Sequence, residues 1–183
     1  MNKKTRLRMI VEGGIMIALA SVLSMVRLYK MPQGGSVTAA SMMPIMLFAM
    51  RWGVPKGVLV GTLYGILQFI FEPYMVSPIQ MLLDYPIAFG VLGLAGIVRY
   101  SLKNNKQRVQ WVVSGCALGM FLRTVSHVIS GAIFFKKYAG VMNPWLYSIQ
   151  YNASYMLVEL VMTSIIIYFI WQPIEKAAPA VDK

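Results

Sequence analysis

Apolar residues are gathered into six runs along the chain, and short polar or basic segments separate these runs. A helix needs about 20 residues to cross a hydrocarbon core ~30 Å thick, and four of the runs reach that length. The pattern predicts an all-α integral membrane protein, a six-transmembrane-helix bundle that forms one domain over residues 1–183. The predicted spans are residues 9–28, 37–50, 58–71, 76–98, 109–135 and 147–171.

The second and fourth runs depart from a plain span. The run at 37–50 is short for a crossing, so we expect a helix that is tilted or partly irregular. The fourth run contains Pro78, Asp84 and Pro86. Proline removes an internal hydrogen bond and crowds the preceding turn, so this span should have a kink or a broken start. A Gly-rich loop at 31–36 joins the first two runs.

Composition excludes a soluble domain. Hydrophobic residues make up 58% of the chain and charged residues 13%, with a mean hydropathy of +0.64. Soluble domains carry about a quarter charged residues. The basic N-terminus followed by an apolar run is also typical of a signal peptide. Because this run continues to Leu28 and further spans follow, we interpret it as a retained first helix.

The 17 basic residues outnumber the 6 acidic ones, and they lie mainly between the runs. Basic residues are enriched in cytoplasmic loops of membrane proteins. Twelve fall in the N-terminus, the second and fourth loops and the tail, against four on the other side, so both termini are predicted to be cytoplasmic. No basic helix interleaved with aromatic residues is present, which argues against a nucleic-acid partner.

The sequence contains no signature of catalysis. It has no phosphate-binding glycine loop, no HExxH motif and no nucleophile elbow, so we expect neither an enzyme nor catalytic residues. The single cysteine, Cys116, lies within an apolar run and permits neither an internal disulfide nor a metal cluster. We therefore predict no metal site and no cofactor for this chain.

Several ionisable residues lie inside the predicted spans, where each costs ~2.5–3.5 kcal/mol near the centre of a helix. Arg123, His127 and Gly131 fall at i, i+4 and i+8, so they share one face of the fifth helix. Gly131 would leave room beside His127 for a ligand or a neighbouring helix. Arg123 and His127 either contact a ligand or only satisfy other helices.

Asp84 and Tyr85 precede Pro86 in the fourth span. A buried carboxylate there can accept hydrogen bonds from an amino-substituted heterocycle or attract an organic cation. The other interpretation is an ion pair with Arg123, and both can hold at once.

A row of aromatic residues begins the last span, where Tyr147, Tyr151 and Tyr155 repeat at i+4 and Asn152 adjoins them. Such a row is often an aromatic belt at the membrane interface. It can also form a pocket for a small aromatic cation, because each cation–π contact contributes ~0.5–2 kcal/mol.

In the first span, Gly14 and Ala18 form a small-xxx-small pattern that lets helices approach closely in lipid. The pattern fits either docking of a membrane partner or packing within the bundle.

Several motifs together resemble the substrate-binding S components of energy-coupling factor (ECF) vitamin transporters, and specifically the thiamine-binding type. The similarity spans nearly the whole chain. The most specific segments are Leu83-Asp84-Tyr85-Pro86, His127-Val128-Ile129-Ser130-Gly131 and Tyr147-Ser148-Ile149-Gln150-Tyr151-Asn152.

The resemblance implies a multi-pass protein of the cell membrane that captures thiamine outside and mediates its uptake with an ECF module. That module has a transmembrane scaffold subunit and two cytoplasmic ATPase subunits, which use the ATP. Asp84 would hold the aminopyrimidine, and Gly14 and Ala18 match the scaffold-docking pattern. The other ligand-binding residues it implies are Tyr74, Tyr85, His127, Gly131, Tyr147 and Asn152.

Three positions depart from the family pattern. A glutamate is common at the position of Asp84, and an aromatic residue common in the first loop is absent at Gly34-Gly35-Ser36. Phe135 stands where a tryptophan is expected. We expect weaker stacking or a shifted ligand as a result.

A second hypothesis is a stand-alone secondary transporter driven by a proton gradient, with His127 and Asp84 as relay groups. Many such transporters contain inverted repeats, and the absence of one here counts against this hypothesis.

Overall fold

The structure, a computed structural model, describes residues 2–99 and 108–177. Within these residues the chain forms a bundle of six helices, which confirms the predicted fold class. Five of the six are long and apolar enough to cross a membrane, and α2 is the exception. Most of the predicted basic loop between the fourth and fifth spans lies outside the described residues. The helices are α1 Lys3–Met25, α2 Met43–Trp52, α3 Val54–Phe71, α4 Pro78–Val98, α5 Arg108–Phe134 and α6 Pro144–Ala177.

A small antiparallel hairpin follows α1, where the sequence predicted only a loop. Strand β1 (Arg27–Lys30) pairs with β2 (Ser36–Thr38) in a register that places Tyr29 opposite Val37 and Lys30 opposite Ser36. Gly34 lies in the turn with a φ of 104°, a conformation that favours glycine. The strands are only four and three residues long, too short for alternating hydrophobicity to reveal them.

The prediction of a second span at 37–50 was wrong in its boundaries. Residues 37 and 38 belong to β2, and the helix begins only at Met43, with Pro44 in its first turn. Proline suits this position because its missing N–H would have no partner inside the helix. All of α2 after Met43 is buried among the other helices. It is therefore a core helix, which explains why its run of apolar residues is continuous yet short.

Helix α4 changes its winding three times, as the two prolines indicated. An α-helical turn (Pro78–Leu82) leads into a π-helical turn (Leu83–Ile87) that contains Pro86. A short α-helical segment (Ala88–Gly90) and a 3-10 segment (Val91–Val98) complete it. Single π turns often occur at functional sites, and this one carries Asp84 and Tyr85. The predicted irregular fourth span is confirmed.

Helix α1 packs against the bundle through Gly13, where an added Cβ would lie 3.2 Å from Val60 and 3.5 Å from Phe48. Gly14 and Ala18 are exposed, and a Cβ on Gly14 would meet no atom within 4 Å. The small-xxx-small pattern therefore does not serve packing within the bundle. Near the same level Glu12 forms an ion pair with Arg51 of α2, with 3.1 Å between Oε1 and Nε.

The close approach of α3 and α4 gives a test of this packing. A Cβ on Gly61 would lie 2.3 Å from the carbonyl oxygen of Phe89, and one on Gly93 would lie 2.1 Å from the amide nitrogen of Val58. Overpacking of this kind costs about 1–3 kcal/mol. We expect Gly61→Ala and Gly93→Ala each to lower the thermal unfolding midpoint of the detergent-solubilised protein by several degrees.

Gly14→Ala is the matched control, because its methyl group would enter open space. It should leave the midpoint unchanged or raise it by up to about 4 °C, since alanine is favoured over glycine inside a helix by about 0.5–1 kcal/mol. Equal midpoints for all three variants would contradict the packing of α3 on α4.

Candidate functional site

A cavity of about 500 Å³ lies at one end of the bundle, beneath the hairpin. Its walls come from the end of α3, the starts of α4 and α6, and the end of α5, so it lies at the end remote from the N-terminus of α1. This volume is in the range of pockets for small organic ligands. All seven predicted ligand-binding residues border it: Tyr74, Asp84, Tyr85, His127, Gly131, Tyr147 and Asn152.

The Asp84 carboxylate is the centre of a hydrogen-bond network on the cavity wall. Oδ1 lies 2.9 Å from Nδ1 of His127, and Oδ2 accepts hydrogen bonds from Ser130 Oγ at 2.8 Å and Gln80 Nε2 at 2.7 Å. The side chain is 17% exposed. Three donors compensate for the loss of water around this group, which still borders the cavity.

The predicted shared face of α5 is confirmed, and it points to the cavity. Arg123 donates its Nε–H to Nε2 of His127 over 3.2 Å, and Gly131 borders the cavity further along. The guanidinium carbon lies 4.2 Å from the centre of the Phe89 ring, and Nη1 contacts the sulfur of Met42. Asp84 and Arg123 do not form the ion pair that the sequence offered as an alternative, because His127 lies between them.

The absence of a side chain at Gly131 leaves room for helix α6 as well as for the cavity. A Cβ at this position would lie 2.2 Å from Oγ of Ser148, which donates to the carbonyl oxygen of Val128 at 2.9 Å. Asn152, one turn after Ser148, accepts a hydrogen bond from Tyr155 and donates to the carbonyl oxygen of Ser148. Gly131 thus sets how closely α5 and α6 cross, and Asn152 is oriented from within α6.

The tyrosine row of α6 faces inward and holds the hairpin. The rings of Tyr147 and Tyr151 stack at 6.1 Å, and Tyr151 meets Tyr155 edge to face at 6.0 Å. The Tyr151 hydroxyl accepts hydrogen bonds from the backbone N–H groups of Gln33 (3.1 Å) and Gly35 (3.4 Å). A Cβ on Gly35 would lie 2.6 Å from the Tyr155 ring. The row therefore closes the cavity and is not only an aromatic belt.

A second aromatic group lines the mouth of the cavity. Phe135 stacks between Tyr74 (5.7 Å, 13° between planes) and Tyr138 (6.4 Å, 24°). Desolvation, followed by the nearby Tyr138 and Asp84, raises the pKa of the Tyr74 phenol above its ordinary value. Stacked rings of this kind are suited to a flat ligand.

The loop between α3 and α4 is tied to the Asp84 network. Tyr85 donates its hydroxyl proton to the carbonyl oxygen of Glu72 at 2.8 Å and accepts from the Tyr74 N–H at 3.2 Å. The fully buried Gln80 donates to the carbonyl oxygen of Tyr74 and accepts from the Val76 N–H. The Tyr85 hydroxyl is thus occupied by hydrogen bonds to the backbone of this loop.

Several residues of the site were missed by sequence reasoning. Gln80 precedes Asp84 by four residues and Ser130 follows His127 by three, so helical spacing was an available signal for both. The i+4 row signalled Tyr151 and Tyr155, although only Tyr147 was assigned to the site. Gln33 and Gly35 reach the cavity only through the hairpin, which no pattern predicted.

The fold and the cavity define a class: a helical membrane protein with a polar and aromatic pocket for a small ligand. A family model described as "Thiamine transporter protein (Thia_YuaJ)" matches residues 10–178. The chain belongs to this family. It is a multi-pass cell-membrane protein whose function is transport rather than catalysis.

Relatives support this placement over nearly the full length. The chain is 38% identical to the thiamine transporter ThiT of Bacillus subtilis, with 91% of this chain and 92% of the relative covered. It is 29% identical to ThiT of Lacticaseibacillus paracasei, with 91% and 88% covered. A solved structure of ThiT from Listeria monocytogenes superposes with a TM-score of 0.85 at 26% identity, covering 94% and 97% of the two chains.

The hydrogen bonds to Tyr151 give a test of how the hairpin is held. Tyr151→Phe removes the acceptor for two backbone N–H groups while keeping the stacked ring. Each lost bond costs about 0.5–1.5 kcal/mol. We expect faster amide hydrogen exchange in residues 31–36, measured by mass spectrometry.

Tyr168→Phe removes a hydroxyl from an exposed position further along α6 and should leave the exchange of residues 31–36 unchanged. Unchanged exchange in both variants would mean that Tyr151 does not hold the hairpin.

Proposed function

We propose that this chain captures thiamine at the outer face of the cell membrane and mediates its uptake as the S component of an ECF-type transporter. The observation that carries the proposal is a carboxylate, Asp84, held by three donors at the wall of an aromatic-lined cavity. Membership of a thiamine transporter family adds the substrate. The predicted cytoplasmic termini would place the cavity on the outer side.

The lining of the cavity suits the chemistry of thiamine, a cation that joins an aminopyrimidine to a thiazolium ring with a hydroxyethyl tail. Asp84 would accept hydrogen bonds from the aminopyrimidine and offset the positive charge. Tyr74 and Tyr147 would present ring faces, which attract cations. His127, Tyr85 and Asn152 would contact the rings and the hydroxyl tail, and Gly131 would line the pocket beside them.

Substitution of Asp84 tests the binding role directly. Asp84→Asn keeps the size of the side chain and removes its charge. Since a hydrogen bond to a charged group contributes about 1.5–3 kcal/mol, thiamine affinity should fall about 10- to 100-fold. Isothermal titration of the purified protein, without ATP or added ions, measures this loss.

Glu12→Gln is the matched control, because it neutralises another intramembrane carboxylate that does not border the cavity. Its affinity should equal that of the unsubstituted protein. Full affinity in Asp84→Asn, or an unsubstituted protein that thiamine neither stabilises thermally nor quenches in fluorescence, would refute the assignment. A panel of other water-soluble vitamins in the same assay tests the choice of ligand.

The exposed small-residue face of α1 supports docking to a transmembrane scaffold subunit. Gly14 and Ala18 are exposed and leave space for another helix to approach closely. Two cytoplasmic ATPases bound to that scaffold would supply the energy, so the chain itself would need no cofactor.

A double substitution tests this docking surface. Gly14→Leu with Ala18→Leu should abolish co-purification with the ECF module and thiamine uptake in vesicles, while thiamine affinity stays unchanged. Val161→Leu, which adds bulk to an exposed position of α6, is the control and should preserve both. Normal assembly of the double variant would contradict docking through this face.

The hydrogen bond between Asp84 and His127 is also the contact that a second function, proton-coupled secondary transport, would use as a relay. That function requires thiamine uptake by vesicles that contain this chain alone and an imposed proton gradient. The S-component proposal requires no uptake in those vesicles until the module and ATP are supplied.

A further inference from the structure

Arg123 lies at the cavity, with apolar side chains against its guanidinium and the polar side chains of Tyr64, Tyr155 and Glu159 nearby. Its guanidinium rests on the Phe89 ring and contacts the Met42 sulfur, and its Nε–H points at Nε2 of His127, 3.2 Å away. An arginine inside a membrane bundle is costly, and such residues mark functional sites. The thiamine-binding scheme proposed above gives Arg123 no role.

The direction of this hydrogen bond determines the protonation of His127. Arginine carries only donors, and it does not lose its proton in proteins. Nε2 of His127 must therefore be the acceptor, without a hydrogen of its own. A neutral imidazole then carries its proton on Nδ1, which faces Oδ1 of Asp84 at 2.9 Å. The hydrogen bonds run from Arg123 to His127 and from His127 to Asp84.

Both other states of His127 conflict with these neighbours. The tautomer with a proton on Nε2 would direct that hydrogen at the Nε–H of Arg123 and a lone pair of Nδ1 at Asp84. The imidazolium would direct its Nε2–H at the Nε–H of Arg123, and its positive charge would neutralise Asp84 by direct contact. Asp84 thus requires a hydrogen on Nδ1 and Arg123 opposes one on Nε2, so the two neighbours together select the neutral form that donates to Asp84.

The protonation state of His127 determines what Asp84 can offer a ligand. A carboxylate has about four lone-pair sites, and His127, Ser130 and Gln80 occupy three of them. One acceptor site remains, together with a negative charge that its three neutral donors leave in place. A cationic ligand with an N–H group would fill this acceptor site and compensate the negative charge.

We propose that Arg123 is a positioning residue for the binding site: it fixes His127 as the neutral Nδ1–H tautomer, which in turn holds Asp84 as an acceptor for an N–H group of a cationic ligand. The ligand part rests on the proposed function, whereas the tautomer part does not depend on it.

Histidine NMR tests the tautomer without interference, because His127 is the single histidine of the chain. In protein labelled with ¹⁵N-histidine, a protonated and an unprotonated ring nitrogen have well-separated shifts, and couplings to the ring C–H protons tell them apart. We expect a protonated Nδ1 and an unprotonated Nε2. An Nε2–H tautomer or an imidazolium in the unsubstituted protein overturns the proposal.

Two variants separate the hydrogen bond from the charge. In Arg123→Gln the side-chain nitrogen is the same number of bonds from Cα as Nε of arginine, so a donor is kept and the charge is lost. In Arg123→Met a methyl group takes that place. We expect the glutamine variant to retain the neutral Nδ1–H tautomer and the methionine variant to populate the imidazolium, because Asp84 still requires a hydrogen on Nδ1 and no donor then opposes one on Nε2. Arg6→Met, at an exposed site on α1, should retain it.

Thiamine titration of the same samples completes the test. Affinity should fall about 10- to 100-fold in Arg123→Met, the loss expected for a hydrogen bond to a charged group, and largely recover in Arg123→Gln. An unchanged protonation state of His127 in Arg123→Met, or a changed one with full affinity, overturns the positioning role. If the methionine variant does not fold, the spectrum of the unsubstituted protein and the glutamine variant still decide. Failure of the unsubstituted protein to bind thiamine refutes the proposed function alone.

Discussion

Burial of the Asp84 carboxylate is the constraint on which the rest of the site depends. A charged group among membrane helices is tolerated only where donors replace water, and here three side chains supply them: His127 and Ser130 of α5, and Gln80 of α4. The π turn over Leu83–Ile87 carries Asp84 at the wall that α5 faces. The irregular winding of α4 and the polar face of α5 therefore depend on each other, because the first places Asp84 and the second supplies two of its donors.

The hairpin and the loop before α4 complete the enclosure by a different principle. Backbone N–H groups at the hairpin tip donate to Tyr151, and the Tyr155 ring packs where Gly35 has no side chain. On the other side, Gln80 and Tyr85 hold the loop through its backbone. Polar groups of the loops are thus satisfied by side chains of the helices, and the aromatic rings remain free to line the cavity.

Sequence reasoning succeeded where the cost of burial leaves a pattern. Apolar runs predicted the long helices, and Asp84 and His127 stood out because ionisable groups are rare inside spans. It failed where short segments depend on tertiary contacts. Val37 lies in an apolar run, yet it belongs to strand β2 and pairs with Tyr29 of β1. The apolar residues of α2 are buried in the core of the bundle. Tyr151 was visible in the i+4 row, but its role required the position of Gln33, which is remote in sequence.

The central claim is that Asp84 receives a cationic, N–H-bearing ligand inside this cavity. An experimentally determined structure with thiamine added tests it most directly. The account predicts thiamine beneath the hairpin, with one Asp84 oxygen within about 2.7–3.2 Å of an aminopyrimidine nitrogen, as for a hydrogen bond. Thiamine bound elsewhere, or bound in the cavity with Asp84 contacting only His127, Ser130 and Gln80, would contradict it.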